Sequence, residues 1–131
     1  MEKVFNWFAL VFGIIGGGLI NLLGGSDVLL QTITAFIILD YITGIVKAVY
    51  TKQLSSQIGF KGICKKVMIY LVIAFAVFLE EIIKIPLREI TIMFFLANEG
   101  ISLLENAAEV IPVPQKLKDA LLQLREKKDG E

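Results

Sequence analysis

Long apolar stretches divide the first part of the chain. Residues 4–26 are 23 positions without a charge, and residues 28–46 are 19 positions with a single charge, Asp40. A helix that crosses a bilayer needs about 20 predominantly apolar residues. Glycine, serine and aspartate at 24–27 favour a tight turn between the two stretches. The pattern therefore predicts two membrane-spanning helices joined by a short turn.

Two further apolar stretches follow. Residues 67–79 are 13 uncharged positions with lysines before them and glutamates after them. Such flanking charges reach the membrane interface and extend a short span. Residues 87–111 are 25 positions between two prolines, which suits a helix of about 37 Å, long enough to span. This fourth segment carries five charges, so it either crosses the membrane or lies on its surface.

The predicted fold is an all-α membrane protein. It is a small bundle of four transmembrane helices, or of three if the fourth segment lies on the surface, followed by an amphipathic, charged carboxyl-terminal helix. The transmembrane domain is 1–111, with spans at about 4–23, 28–46, 66–83 and 87–106. The charged tail is 112–131, where Pro114 can open a helix with an apolar side. That tail is either solvated or an interfacial helix near anionic lipid.

Composition supports the membrane class and excludes several others. Apolar residues make up 56% of the chain, more than a soluble domain of 131 residues can bury. There is no histidine, which excludes histidine-based catalytic triads and most zinc sites. One cysteine, Cys64, excludes an internal disulfide, and zero net charge gives no overall basic field for nucleic acid. We expect no enzymatic activity, no cofactor or metal, and no nucleic-acid partner.

The distribution of basic residues predicts the orientation. With four spans, 11 of the 13 lysines and arginines lie on one side: at the amino terminus, between 47 and 66, and after residue 111. The other side holds only Lys84 and Arg88. Because cytoplasmic loops are enriched in lysine and arginine, both termini are predicted to be cytoplasmic.

Small residues mark a helix-packing side. Gly13, Gly17 and Asn21 fall on one side of the first span, with the spacing that lets helices approach closely. Gly44 in the second span is a further close-packing position. The contact is either within one protomer or between protomers.

Polar residues form two stripes inside the apolar segments. In the second span Asp40, Thr43 and Lys47 share a side, either as a local network or as a polar contact with another helix or a water-filled space. Asp40 and Glu99 each lie twelve residues from the start of their segment, so both should lie about 18 Å from the outer interface. Two carboxylates at one depth can share a proton or be neutralised by Lys47, Lys65 or Lys66. The stripe of the fourth segment comprises Asn98, Glu99, Ser102, Glu105 and Asn106.

Three ordered motifs resemble a known family. Residues 40–44 (DYITG), 54–56 (LSS) and 59–66 (GFKGICKK) resemble the central signature of the phage and toxin-secretion holin family. Residues 98–106 (NEGISLLEN) are similar to its second signature, and residues 112–117 (PVPQKL) to its closing segment. The likeness covers roughly residues 30–122. The central signature includes a basic cytoplasmic loop that contains Gly59, Lys61, Gly62, Lys65 and Lys66.

The resemblance implies a multi-pass protein of the bacterial cytoplasmic membrane. Such proteins form homo-oligomers and open lesions that release endolysin for host cell lysis, and some relatives assist toxin export. The partners implied are the lipid bilayer, further copies of the chain, and an endolysin or toxin cargo that needs no direct contact. A membrane-bound antiholin or regulator, and a small proton-coupled four-helix transporter, are the alternative functions.

Overall fold

The structure is a computed structural model that describes the backbone of residues 1–129 and the side chains up to residue 123. Every regular element in this part of the chain is an α-helix, which confirms the all-α prediction. The last two residues of the predicted tail, 130 and 131, lie outside the described residues. The helices are α1 (Glu2–Leu22), α2 (Val28–Tyr50), α3 (Ser56–Ile83), α4 (Leu87–Ala108) and α5 (Gln115–Asp129).

The predicted tight turn between the first two helices is confirmed. Gly24 and Gly25 have φ values of +86° and +98°, a backbone region that glycine adopts without steric cost. The Gly25 amide donates to the Ile20 carbonyl at 2.9 Å, which closes the end of α1. Asp27 then begins α2, because its side chain accepts a hydrogen bond from the Leu30 amide at 2.9 Å.

The second connection is shorter than the sequence predicted. Helix α2 continues to Tyr50 and α3 begins at Ser56, where the Ser55 hydroxyl accepts from the Ile58 amide at 3.2 Å. The prediction that residues 59–66 form a loop is therefore wrong: the structure places them on α3. The serine N-cap starts the helix early, and lysine is a good helix former, so the lysines do not interrupt it. The residues concerned are Gly59, Lys61, Gly62, Lys65 and Lys66.

Helices α2, α3 and α4 form the core of the bundle. Contacts at both ends show that α2 and α4 run parallel and that α3 runs antiparallel to both. Helix α4 packs against α2 most extensively and also against α3 and α5, whereas α2 and α3 touch each other much less. Ile33, Ile73 and Ile92, one from each core helix, are the largest fully buried side chains. The bundle therefore has a thin apolar core centred on α4.

Apolar side chains cover much of the outer surface. None of the residues of α1 is buried, and phenylalanines, isoleucines and leucines along it are exposed. Among the described residues, α1, α2 and α3 are long and apolar enough to cross a membrane. Helix α4 has 22 residues, enough to span by length, but it carries Arg88, Glu89, Glu99 and Glu105. A fourth span remains a prediction.

Helix α5 doubles back along α4. A methyl group added at Gly100 of α4 would lie 2.8 Å from Leu121 Cδ2 and 3.2 Å from Phe36 Cε2. Leu121 thus packs on α4 beside α2, about two turns from the carboxyl end of α4. The absence of a side chain at Gly100 is what allows this close approach.

Candidate functional site

An ion triad links the three core helices. The Lys66 ammonium group of α3 donates hydrogen bonds to Asp40 Oδ2 of α2 and to Glu99 Oε2 of α4. Asp40 and Glu99 are buried, with 6% and 8% of their surface exposed, and the Lys66 side chain is 15% exposed. These are the two buried charged residues of the described core, and both rely on the same cation.

The antiparallel arrangement of α3 brings the triad together. Asp40 lies twelve residues after the start of α2, and Glu99 lies twelve residues after the start of α4. Because these helices are parallel, both carboxylates lie about 18 Å along them from the same end of the bundle. Lys66, near the amino-terminal third of α3, reaches that level from the opposite direction.

Amide and hydroxyl groups complete the site. Asn106 Nδ2 donates to Asp40 Oδ1 at 3.1 Å and lies 3.4 Å from Thr43 Oγ1. The Thr43 hydroxyl donates to the Asp40 backbone carbonyl at 3.0 Å. Asp40 therefore accepts on both carboxylate oxygens. Within the described residues, every buried side-chain nitrogen and oxygen has a hydrogen-bond partner.

The triad sets two acidic groups against one basic group inside the bundle. Removing charges from water costs several kcal/mol per ion, and good geometry must offset that cost. Loss of Lys66 would leave two buried acids without a cation, whereas loss of either acid would leave the other still paired with Lys66.

A cavity with both polar and apolar side chains in its wall opens beside the triad. It has a volume of about 480 Å³, lies between α2, α3 and α4, and has Asp40, Lys66 and Glu99 in its wall. From there it extends toward the end of the bundle that holds residues 51–55, here called the basic end. Lys47, Lys61 and Lys65 line it on that side, together with Thr51 and Gln53.

A second ion pair closes the opposite end. Arg88 Nη1 donates to Asp27 Oδ2 at 2.7 Å, and the same guanidinium group donates to the carbonyls of Leu23 and Gly25 at 2.6 and 3.1 Å. These bonds join the start of α4 to the turn between α1 and α2. The Arg88 hydrogen bond lowers the pKa of Asp27 from 3.8 to about 2.

The predicted polar stripes converge only in part. Asp40, Thr43, Glu99 and Asn106 meet around Lys66. Lys47 lies 4.0 Å from Glu109 at the cavity mouth, and Ser102 lines the same cavity. Asn98 is half-buried outside this group of contacts, and Glu105 is exposed between α4 and α5.

The predicted small residues fall into two groups. Methyl groups added at Gly13 or Gly17 would meet nothing within 4 Å, and Asn21 is exposed. The small-residue side of α1 is therefore not packed within the protomer. At Gly44 an added methyl group would lie 3.5 Å from Asn106, and at Gly62 it would lie 3.2 Å from the Tyr41 ring. Gly44 and Gly62 thus allow close packing among the core helices.

Sequence reasoning missed the Arg88 contacts and the fold-back of α5. Asp27 lies just before an apolar stretch, which is a signal for a helix N-cap. Arg88 is predicted at the same end of the bundle, so the sequence contained enough information to predict that the two residues pair. Leu121 had no comparable signal, because an amphipathic helix also suits solvent or a membrane surface.

The geometry suits structural and electrostatic roles. Within the described residues, no group of three or more histidine, cysteine, aspartate or glutamate side chains could hold a metal ion. The molecule is thus a small helical membrane protein whose core carries a satisfied ion network.

Comparison with known proteins then assigns the family. The model of the bacteriophage holin family matches residues 17–126, so the chain belongs to that family. This membership points to a non-enzymatic membrane protein and confirms the resemblance found in the sequence motifs.

Individual relatives include two uncharacterized bacterial proteins and one probable phage holin. A 14.9 kDa protein encoded in the nagH 3' region of Clostridium perfringens, of uncharacterized function, is 40% identical over 98% of this chain and 100% of its own length. An uncharacterized protein of Listeria monocytogenes is 41% identical over 93% of this chain and 90% of its own. A probable holin of Bacillus phage phi105 is 34% identical over 64% of each chain. No solved structure matches.

Proposed function

We propose that this chain is a holin that oligomerises in the bacterial cytoplasmic membrane and forms lesions. The lesions let a cytoplasmic endolysin reach the cell wall, or let a toxin cargo leave the cell. The observation that carries the proposal is the holin-family match over residues 17–126, which spans most of the chain.

The surface of α1 supports assembly. Its residues are unburied, and the Gly13–Gly17 side has no neighbour within 4 Å. Small residues spaced in this way allow close helix contact in a bilayer, and Asn21 on the same side can hydrogen-bond across the contact. We assign this side to contacts between protomers.

We propose an orientation with both termini in the cytoplasm. The basic end of the bundle then faces the cytoplasm, which the 11-to-2 distribution of basic residues favours. A spanning α4 also requires α5 to move. If α5 stayed folded back along α4, its charged residues would enter the membrane, where each charge is costly. Helix α5 would therefore leave α4 and lie at the cytoplasmic surface.

A reporter fusion tests this orientation. A reporter joined after residue 131 should be active in the cytoplasm. A periplasmic signal would contradict four spans and favour three.

Inducible expression in bacteria tests the function. The chain is expressed with and without a cytoplasmic endolysin that lacks its own export signal, while optical density is followed. A holin stops growth when expressed alone and causes a sharp fall in optical density when the endolysin is present. Unchanged growth in both cultures would contradict the proposal.

Culture and vesicle experiments distinguish the alternative functions. In culture, an antiholin or regulator would not lyse cells by itself and would delay lysis by a separate holin. In vesicles, a proton-coupled transporter would drive substrate uptake without releasing protein. Such a transporter needs an acidic group at its substrate site, whereas both buried acids of the described core are already bound to Lys66.

A further inference from the structure

The cavity at the basic end has an unbalanced charge. Four lysines and two carboxylates line it. Lys66 serves both carboxylates, and Lys47 lies 4.0 Å from Glu109. Lys61 and Lys65 remain, one helical turn apart on α3, and both are exposed. The lining therefore holds two more lysines than carboxyl groups, and one more when Glu109, which lies outside the lining, is counted against Lys47.

The position of these charges matters as much as their number. Lys61 and Lys65 precede residue 67, where the uncharged stretch of α3 begins. In the proposed orientation they lie where the phosphates of the cytoplasmic leaflet meet the bundle. Basic pockets between membrane helices on the cytoplasmic side suit anionic lipid headgroups.

The cavity also offers a neutral donor and room. The Gln53 amide lines it, whereas the Thr51 hydroxyl already donates to the Lys47 carbonyl at 2.9 Å. The cavity volume of about 480 Å³ is in the range of small-molecule sites. A phosphate group needs several converging donors, and its glycerol portion needs space beside them. Helices α2 and α3 make few contacts with each other, so the side of the bundle between them is open.

We propose that the cavity between α2 and α3 at the basic end binds a phosphate-bearing anion, with Lys61 and Lys65 as its cationic contacts. Its position at the membrane surface points to the headgroup of an anionic phospholipid as the source. This site is separate from lesion formation, and its test does not use lysis as a readout.

Lipid binding to the purified full-length chain tests the site. The protein in neutral detergent is titrated with phosphatidylglycerol, with phosphatidylcholine, or with inorganic phosphate, and bound molecules are counted by native mass spectrometry. We expect phosphatidylglycerol to bind and zwitterionic phosphatidylcholine not to bind. The double variant Lys61→Gln, Lys65→Gln should bind about 25-fold more weakly, at about fivefold for each lysine lost.

Two matched variants control for charge and folding. Lys52→Gln with Lys116→Gln removes two exposed lysines that do not line the cavity, and should bind as the unchanged protein does. Lys61→Arg with Lys65→Arg keeps the charge and should retain binding. A third result is also informative. If phosphatidylglycerol does not bind, and inorganic phosphate binds and is weakened by the Lys61→Gln, Lys65→Gln variant, the site belongs to free phosphate.

Three results would overturn the proposal. One is equal weakening by the cavity pair and the control pair, which would indicate a general charge effect. Another is unchanged binding in the Lys61→Gln, Lys65→Gln variant. The third is loss of binding in the arginine pair, which would show that the residues act through shape and not through charge.

Discussion

Asp40 of α2 and Glu99 of α4 share one cation, the Lys66 ammonium group of α3. Since each core helix contributes one member, the triad fixes the depth of the three helices relative to one another. The hydrophobic effect does not drive helices together in a membrane, because lipid tails are as apolar as the side chains between helices, so polar contacts and close packing align them. The triad is therefore one determinant of how α2, α3 and α4 align, together with the packed isoleucines of the core.

Removal of the shared cation should destabilise the bundle strongly. Lys66→Gln leaves two buried carboxylates without a counter-ion, an effect of about 3–5 kcal/mol for a broken buried pair. The free energy of unfolding in mixed micelles measures it. Lys65→Gln, on the exposed neighbour, should change stability by less than about 0.5 kcal/mol.

A neutral triple variant provides the matched control for Lys66. Lys66→Gln combined with Asp40→Asn and Glu99→Gln removes all three charges and should recover most of the lost stability. If the triple variant were as unstable as Lys66→Gln alone, shape and not charge would explain the effect.

The two acids should also show coupled effects. Asp40→Asn and Glu99→Gln each leave the Lys66 charge with one carboxylate, so each should alter lysis timing in cells. The double variant should differ from the sum of the single variants, because residues of one network are not additive. Additive shifts in lysis time would contradict the coupling.

The Asp27–Arg88 pair should give a small acid-dependent loss of stability. The pKa of Asp27 is about 2 in the folded protein, below its ordinary value of 3.8. The stabilisation from the ionised Asp27 is therefore complete above about pH 4 and is lost as pH falls toward 2. The Asp27 side chain is 48% exposed, so solvent screening limits the effect to about 1 kcal/mol or less. Denaturation followed between pH 5 and 2 checks this. Asp27→Asn should remove this part of the pH dependence, and an unchanged pH profile in that variant would contradict it.

A bulky residue on the small-residue side of α1 should weaken assembly. Gly17→Leu places a large side chain where we propose that protomers meet, and should reduce oligomers trapped by cross-linking in membranes. Gly18→Leu, one position along the same helix and also without neighbours within 4 Å, is the matched control and should have a smaller effect. Equal oligomer yields from Gly17→Leu and the unchanged protein would indicate that this side faces lipid.

The sequence predicted the helices better than their connections. Apolar stretches located α1 to α4, and the equal spacing of Asp40 and Glu99 from their helix starts placed them at one depth. Which of Lys47, Lys65 and Lys66 contacts the two acids could be read only from the structure, because it depends on how α3 is rotated about its axis. The lysine-rich segment lies on α3 and not in a loop, because the Ser55 hydroxyl accepts from the Ile58 amide and starts the helix before the lysines. The contact of Leu121 with Gly100 depends on a chain reversal that periodicity does not encode.

Release of a folded protein from vesicles tests lesion formation most directly. The purified chain is reconstituted into vesicles that contain both a small dye and an active endolysin, and each is measured outside over time. We expect the dye and the endolysin to appear outside together, above a threshold protein density. Retention of both, or release of the dye while the endolysin stays inside, would contradict this expectation.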